Sequence, residues 1–263
     1  MKKDLFKIIG IGTGLIIIGF FLRSVGITGN FANAGESHLT FKVEDGLILH
    51  AWLEEAAADS AKKNALPGLV LLLPMMSHTH ESYDSFARAL RAIGYTTLAF
   101  DMRGHGQSTQ RGDEQLSFAD MGREEFARMP ADINDFFQDF KSKHPEEYNY
   151  SDVVVIGASI GANTAGLLLL HDWVARSVLL SPGRDYRGLE PGKVMLDKKP
   201  AMNKPVYIAA ALEDTYSAES SQWLFDNYEG GKVLKKYPGQ DHGTDILIHV
   251  LNADKELLEW LKK

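Results

Sequence analysis

Apolar positions along this chain fall into two kinds of run. Eight short runs are rich in aliphatic and β-branched residues and lack helical spacing: residues 38–43 (HLTFKV), 47–55 (LILHAWLEE), 69–74 (LVLLLP), 95–101 (YTTLAFD), 152–158 (DVVVIGA), 175–181 (ARSVLLS), 204–214 (KPVYIAAALED) and 231–239 (GKVLKKYPG). Runs such as LVLLLP are continuously apolar, as expected of strands buried on both faces. Longer stretches over 82–94, 126–144, 217–228 and 244–263 space their apolar residues three and four apart, which predicts amphipathic helices. Residues 160–172 (IGANTAGLLLLHD) are apolar all round and predict a buried helix. The turn EDG folds the first two strands into a hairpin, and strand and helix alternate thereafter. The order predicts an α/β fold: a mostly parallel, doubly wound, eight-stranded sheet with helices on both faces and an antiparallel hairpin at one edge. No repeat or low-complexity stretch interrupts it, so residues 35–263 read as one domain.

The chain has 263 residues, 44% of them hydrophobic, enough for one sizeable core. Its formal charge of −7 and the lack of any basic stripe exclude a nucleic-acid partner. It has no cysteine, which excludes disulfides, thiolate metal sites and a lipid-modified cysteine. Residues 1–34 stand apart. MKKDLFK is a basic start, residues 8–22 are an unbroken apolar and glycine run of 15, and Ala32 and Ala34 form a small-x-small cleavage pattern. The run is short against the roughly 20 residues of a spanning helix. The segment is expected to be a signal peptide cut after Ala34, the alternative being an uncleaved membrane anchor. Either form exports the remainder, or holds it on the outer face of the cytoplasmic membrane.

Candidate chemistry centres on GASIG. Gly157-Ala158-Ser159-Ile160-Gly161 places a serine where a β-branched run turns into an apolar helix. Such a strand–turn–helix elbow exposes the serine above the carboxyl end of the sheet, and the sharp turn demands small residues two before and two after it. The alternative is that Ser159 only caps the helix. A dinucleotide fingerprint fits poorly, because it needs G-x-G-x-x-G on the first strand of its unit. A serine needs a base to take its proton. Downstream, Asp214 lies just past one strand and His242 past the last, in the chain order Ser, acid, His. His242 is then the base and Asp214 its orienting acid, with Glu213 and Asp241 as competing acids. The oxyanion donors are expected to be the N–H of Ile160 and, from the loop after 69–74, that of Met76, with Met75 second. His78 and His80 form an H-x-H pair, but no third ligand is evident, so no metal and no cofactor is assigned.

With these residues in hand, the chain from about Ser37 onward resembles the α/β-hydrolase fold family. The resemblance rests on GASIG, on DMRGHGQS over 101–108, on the acid after YIAAALED and on the histidine of GQDHG. Together SPGRDYRG and DHGTD resemble small exported bacterial hydrolases akin to dienelactone-hydrolase-like esterases. The resemblance implies hydrolysis of a small-molecule ester or a related bond through an acyl-enzyme, and a structural role for His105. Where the family commonly has His-Gly at the oxyanion loop, this chain has Pro74-Met75. Asp185, Tyr186 and Arg187 are expected near the pocket, with Arg187 in a structural salt bridge, the alternative being that it binds a substrate carboxylate. The alternatives are transfer to an alcohol or peroxide by the same triad, and a binding protein that has lost catalysis. The intervals 107–129 and 182–203 lack long apolar faces, so a separate cap domain is not expected.

Overall fold

The computed structural model describes residues 28–31, 36–57, 67–196 and 203–263. A nine-stranded sheet organises the described residues. Its antiparallel edge comprises β1 (Thr28–Phe31), β2 (Glu36–Lys42) and β3 (Ile48–Glu54), and β3 runs antiparallel to β5 (Tyr95–Asp101). From β5 the sheet is parallel, through β4 (Gly68–Leu73), β8 (Asn149–Ala158), β9 (Arg176–Leu180), β10 (Val206–Ala211) and β11 (Lys232–Tyr237). All eight predicted strands are present. The ninth, β1, falls in the segment read as a leader. The rest of that segment, including the apolar run and the Ala-x-Ala site, lies outside the described residues. No helix among the described residues is long and apolar enough to cross a membrane.

The central strands are buried on both faces, and their alternation divides the core in two. Leu69, Leu71, Leu98, Val153, Val155 and Ile208 face one side. There they pack against α2 (Arg123–Ala127), α3 (Met129–Lys143), α4 (Ile160–Leu168), α5 (Gly192–Met195) and α6 (Thr215–Asn227). Val70, Leu72, Val154, Ile156, Val178 and Ala209 face the other, against α1 (Asp84–Ala92), α7 (Asp245–His249) and α8 (Ala253–Leu261). The period of two along each strand is what places helices on both faces.

Two predicted helices are broken. The stretch 126–144 divides at Arg128 into α2 and α3, with Pro130 in the first turn of α3, where its missing N–H costs nothing. The terminal stretch 244–263 divides into α7 and α8, because Asn252 is left-handed at φ 65°. The loop over 107–129 holds a small hairpin, β6 (Gln110–Arg111) and β7 (Glu114–Gln115). Arg103, its side chain fully buried, organises that region. Its guanidinium meets Asp132 at 2.7 and 2.8 Å, Asp45 at 2.7 Å and Glu125 at 2.9 Å. One cation thereby ties the β2–β3 turn, α2 and α3 to the turn after β5.

Candidate active site

Ser159 joins β8 to α4 with φ 52° and ψ −114°, a conformation L residues seldom adopt and one that is tolerated where surrounding structure enforces it. Ser159 N donates to Leu180 O at 2.8 Å, and its carbonyl accepts from Asn163 N at 3.1 Å. The flanking glycines are required by space. A Cβ on Gly157 would meet the Gly161 carbonyl and come within 2.6 Å of Ala162 N. One on Gly161 would press on Leu73 O and come within 2.7 Å of Pro74 O. The helix thus starts in backbone contact with the end of β4, and the serine, 7% exposed, stands at that junction.

The β10–β11 ladder continues past both strands. Leu212 N donates to Tyr237 O at 2.8 Å and Glu213 N to Gly239 O at 2.9 Å. This carries Asp214 to the loop of His242, whose Nδ1–H donates to Asp214 Oδ2 at 2.6 Å. Asp214 stands at the N-cap of α6, yet its carboxylate turns to the imidazole instead of capping the helix. Gly243 N donates to Ser181 Oγ at 2.9 Å, and a Cβ on Gly243 would meet Met75 Sδ at 2.7 Å and Ala158 Cβ at 3.2 Å. The histidine loop therefore lies across the ends of β4, β8 and β9, beside the elbow. Of the competing acids, Asp241 binds His249 Nδ1 at 2.9 Å and Glu213 is exposed. The Asp214–His242 pair is formed; no hydrogen bond between Ser159 and His242 is present among the described residues.

The loop after β4 is pinned at its far end. Asp101, almost fully buried, accepts from His80 N at 3.0 Å, His80 Nδ1 at 2.8 Å and Gln107 N at 2.7 Å. Burial opposes ionisation of Asp101, but these donors outweigh it and hold the carboxyl below its ordinary value. Trp52 stacks on the His80 ring with centroids 3.4 Å apart. His78 Nδ1 lies 3.1 Å from Met76 O, within its own loop. The H-x-H pair is thus committed to the scaffold, and no cluster of three metal-ligating side chains occurs among the described residues. Ile160 opens α4, where the first N–H groups have no intrahelical acceptor. No described residue accepts from the N–H of Ile160 or of Met76.

Beyond β9, Asp185 pairs with Arg123 at 2.8 Å. Arg187 does not form the expected salt bridge among the described residues; its guanidinium lies over the Phe126 ring, 5.8 Å from the centroid. Sequence reasoning missed three residues that shape this side. Asn163, fully buried, accepts from Gly183 N and donates to Gly183 O and Leu189 O at 2.7–3.0 Å, which clamps the loop over 183–189. Ser181 Oγ holds the histidine loop, and buried Ser217 holds Tyr186. An amide inside an otherwise apolar helix was the one readable signal, since a buried polar group requires partners.

The elbow, the parallel sheet and the pair after β10 and β11 define an α/β-hydrolase-fold protein. Residues 65–187 match the family model described as serine aminopeptidase, S33. No curated protein compared with the sequence matches it. Among solved structures, an acetyl xylan esterase from Paenibacillus sp. R4 is similar with a TM-score of 0.70 at 16% identity, over 91% of this chain and 89% of that one. A highly thermostable carboxyl esterase from Bacillus coagulans has a TM-score of 0.61 at 14% identity, over 88% and 99%. An α/β serine hydrolase without lid from Xanthomonas campestris has a TM-score of 0.61 at 16% identity, over 89% and 99%.

Proposed function

We propose that this protein is a serine hydrolase that cleaves small carboxylic esters through an acyl-enzyme. Ser159 attacks the carbonyl carbon, His242 takes its proton through Nε2, and Asp214 holds the ring and stabilises the imidazolium. The N–H groups of Met76 and Ile160 receive the oxyanion. One observation carries the reading: the 2.6 Å Asp214–His242 bond stands beside a serine held in a strained strand–helix elbow. A serine that only capped α4 would accept a bond from the helix, and Ser159 makes no side-chain cap.

The described part of the β9–β10 connection contains only the four-residue α5, which supports an open site for short acyl groups. Ser159→Ala should abolish hydrolysis of p-nitrophenyl acetate and leave the fold intact; wild-type turnover in that variant would refute the assignment. Among p-nitrophenyl esters, acetate and butyrate should exceed octanoate and palmitate, and a rise toward palmitate would refute the open site. The serine aminopeptidase match over 65–187 favours a second reading, cleavage of an aminoacyl amide by the same residues. Aminoacyl p-nitroanilides tested beside the esters decide between them. The basic and apolar N-terminus supports export, either with cleavage after Ala34, which would remove β1, or as an uncleaved anchor that keeps it; an N-terminal Gly35 in the protein recovered from outside the cytoplasm supports the first, an intact N-terminus on the membrane the second.

A further inference from the structure

Tyr186 lies in the loop after β9, and Met76 in the loop after β4. In the sheet β8 lies between β4 and β9, so the loop after β4 and the loop after β9 flank the serine. The Tyr186 hydroxyl lies 3.0 Å from Ser217 Oγ, and the Ser159 side chain is near enough to bear on its ionisation. Its ring meets His242 edge-on, with centroids 6.4 Å apart.

The position is built. Asn163 clamps Gly183 and Leu189 on either side of the tyrosine. Tyr186 and Leu189 exchange backbone bonds of 3.1 and 2.9 Å, and Gly188 N donates to Asp185 Oδ1 at 2.6 Å. A Cβ on Gly183 would come within 2.8 Å of both the Tyr186 and Tyr216 rings. Burial is the main cause that pushes the phenol up to about 12, so it keeps its proton at neutral pH. Either hydroxyl can donate in the Tyr186–Ser217 bond; where Ser217 donates, the phenol's own hydrogen is left for a substrate atom.

We propose that Tyr186 is a catalytic residue whose hydroxyl donates a hydrogen bond to the leaving-group oxygen of the ester. This rests on the reading of Ser159 as nucleophile and His242 as base. As the Ser159 Oγ–carbon bond forms, the serine proton passes to His242 Nε2. The bond from carbon to the leaving oxygen then breaks, and Nε2–H gives that proton to the departing alkoxide. Tyr186 keeps its own proton throughout and offsets charge on the separating oxygen. The oxyanion donors stand on the β4 side and at the start of α4, whereas the leaving group must lie on the side of His242, where Tyr186 stands.

The test compares Tyr186→Phe with wild type on p-nitrophenyl, phenyl and ethyl acetate, reading kcat/KM, which reports acylation. p-Nitrophenolate leaves without help, so its loss should be about 3-fold, rising to about 100-fold for ethyl acetate, the low end of acid catalysis by a side chain. Ser217→Ala, which leaves the phenol in place without its anchor, should show the same ordering with smaller losses. Losses equal across the three esters, or none, in both variants would overturn the proposal. Labelling by a fluorophosphonate separates the two ideas, because fluoride needs no proton. Wild type and Tyr186→Phe should label at similar rates and Ser159→Ala not at all. Absence of labelling in wild type would refute the serine-hydrolase reading and this proposal with it. Labelling without the leaving-group trend would refute the role of Tyr186 alone.

Discussion

Gly161→Ala tests whether the elbow depends on backbone contact between α4 and the end of β4. The new methyl would sit 2.7 Å from both Leu73 C and Pro74 O, with Leu73 O nearer still. Ordinary contact begins at 3.4 Å, so even the 2.7 Å contacts require about 0.7 Å of separation between α4 and β4, and the nearer Leu73 O requires more. Neither obstacle is a flexible side chain that can swing away. Overpacking of this kind costs about 1–3 kcal/mol. For a domain of this size that lowers Tm by roughly 2–4 °C per kcal/mol. The same separation moves the N–H of Ile160 away from the loop bearing Met76, and misplacement near 1 Å costs about 100-fold in rate. The expected variant is therefore folded, modestly less stable, and about 100-fold slower in kcat on p-nitrophenyl acetate. Gly122→Ala is the control, since a Cβ there meets nothing within 4 Å and its φ of −80° suits alanine. Thermal unfolding and steady-state kinetics on the three proteins decide. Wild-type kcat and Tm in Gly161→Ala would refute the reasoning.

Asp214→Asn should lower kcat/KM by about 10³- to 10⁴-fold, whereas Asp241→Asn, which loses only its bond to exposed His249, should stay within about threefold; equal losses on an ester assay would overturn the assignment of the acid. Arg103→Met should cost about 3–5 kcal/mol in urea unfolding, because it strands the buried Asp132 carboxylate and the carboxylates of Asp45 and Glu125 without their cation. His105 bears on acid stability. Burial is the main cause that depresses it below 6.5, its Nδ1 lies 2.8 Å from Arg103 O, and its Nε2 has no partner among the described residues. The unfolded chain therefore takes up this proton first, so stability falls as pH drops below about 6.5, by at most about 1.4 kcal/mol per pH unit. Relative to wild type, His105→Gln should flatten that decline in urea titrations between pH 7 and 5, and identical slopes would show that His105 does not titrate on unfolding.

The sheet was legible because its signals are local. The central strands β4, β9 and β10 and the end of β8 are near-continuous apolar runs, buried on both faces, which leaves no alternation to misread. Helix ends were less legible. Nothing in the residues before it marks Asn252 as left-handed, and the break there joins α7 and α8 so that Ile246 and Leu257 reach the same face of the sheet. The edge strand β1 was not read, since its sequence TGNF carries no hydrophobic pattern and its pairing with β2 is what makes it a strand.

At the site, the elbow was readable for the same local reason. Gly157, Ser159 and Gly161 lie within five residues, and their spacing states a steric demand that the backbone contacts bear out. The supporting bonds span the chain and leave little local trace. His80 binds Asp101 across 21 positions, Asn163 binds the loop after β9 across 20 to 26, and Gly243 binds Ser181 across 62. The chain order of Ser, acid and His was visible in the sequence, but which carboxylate meets His242 was not. Asp214 and Asp241 both lie near His242 in the fold. Asp241 is its chain neighbour and turns instead to His249, one helix away, whereas Asp214 arrives along the extended β10–β11 ladder and faces the ring. A residue adjacent in sequence is poorly placed to orient its neighbour's side chain, so the distant carboxylate holds the histidine.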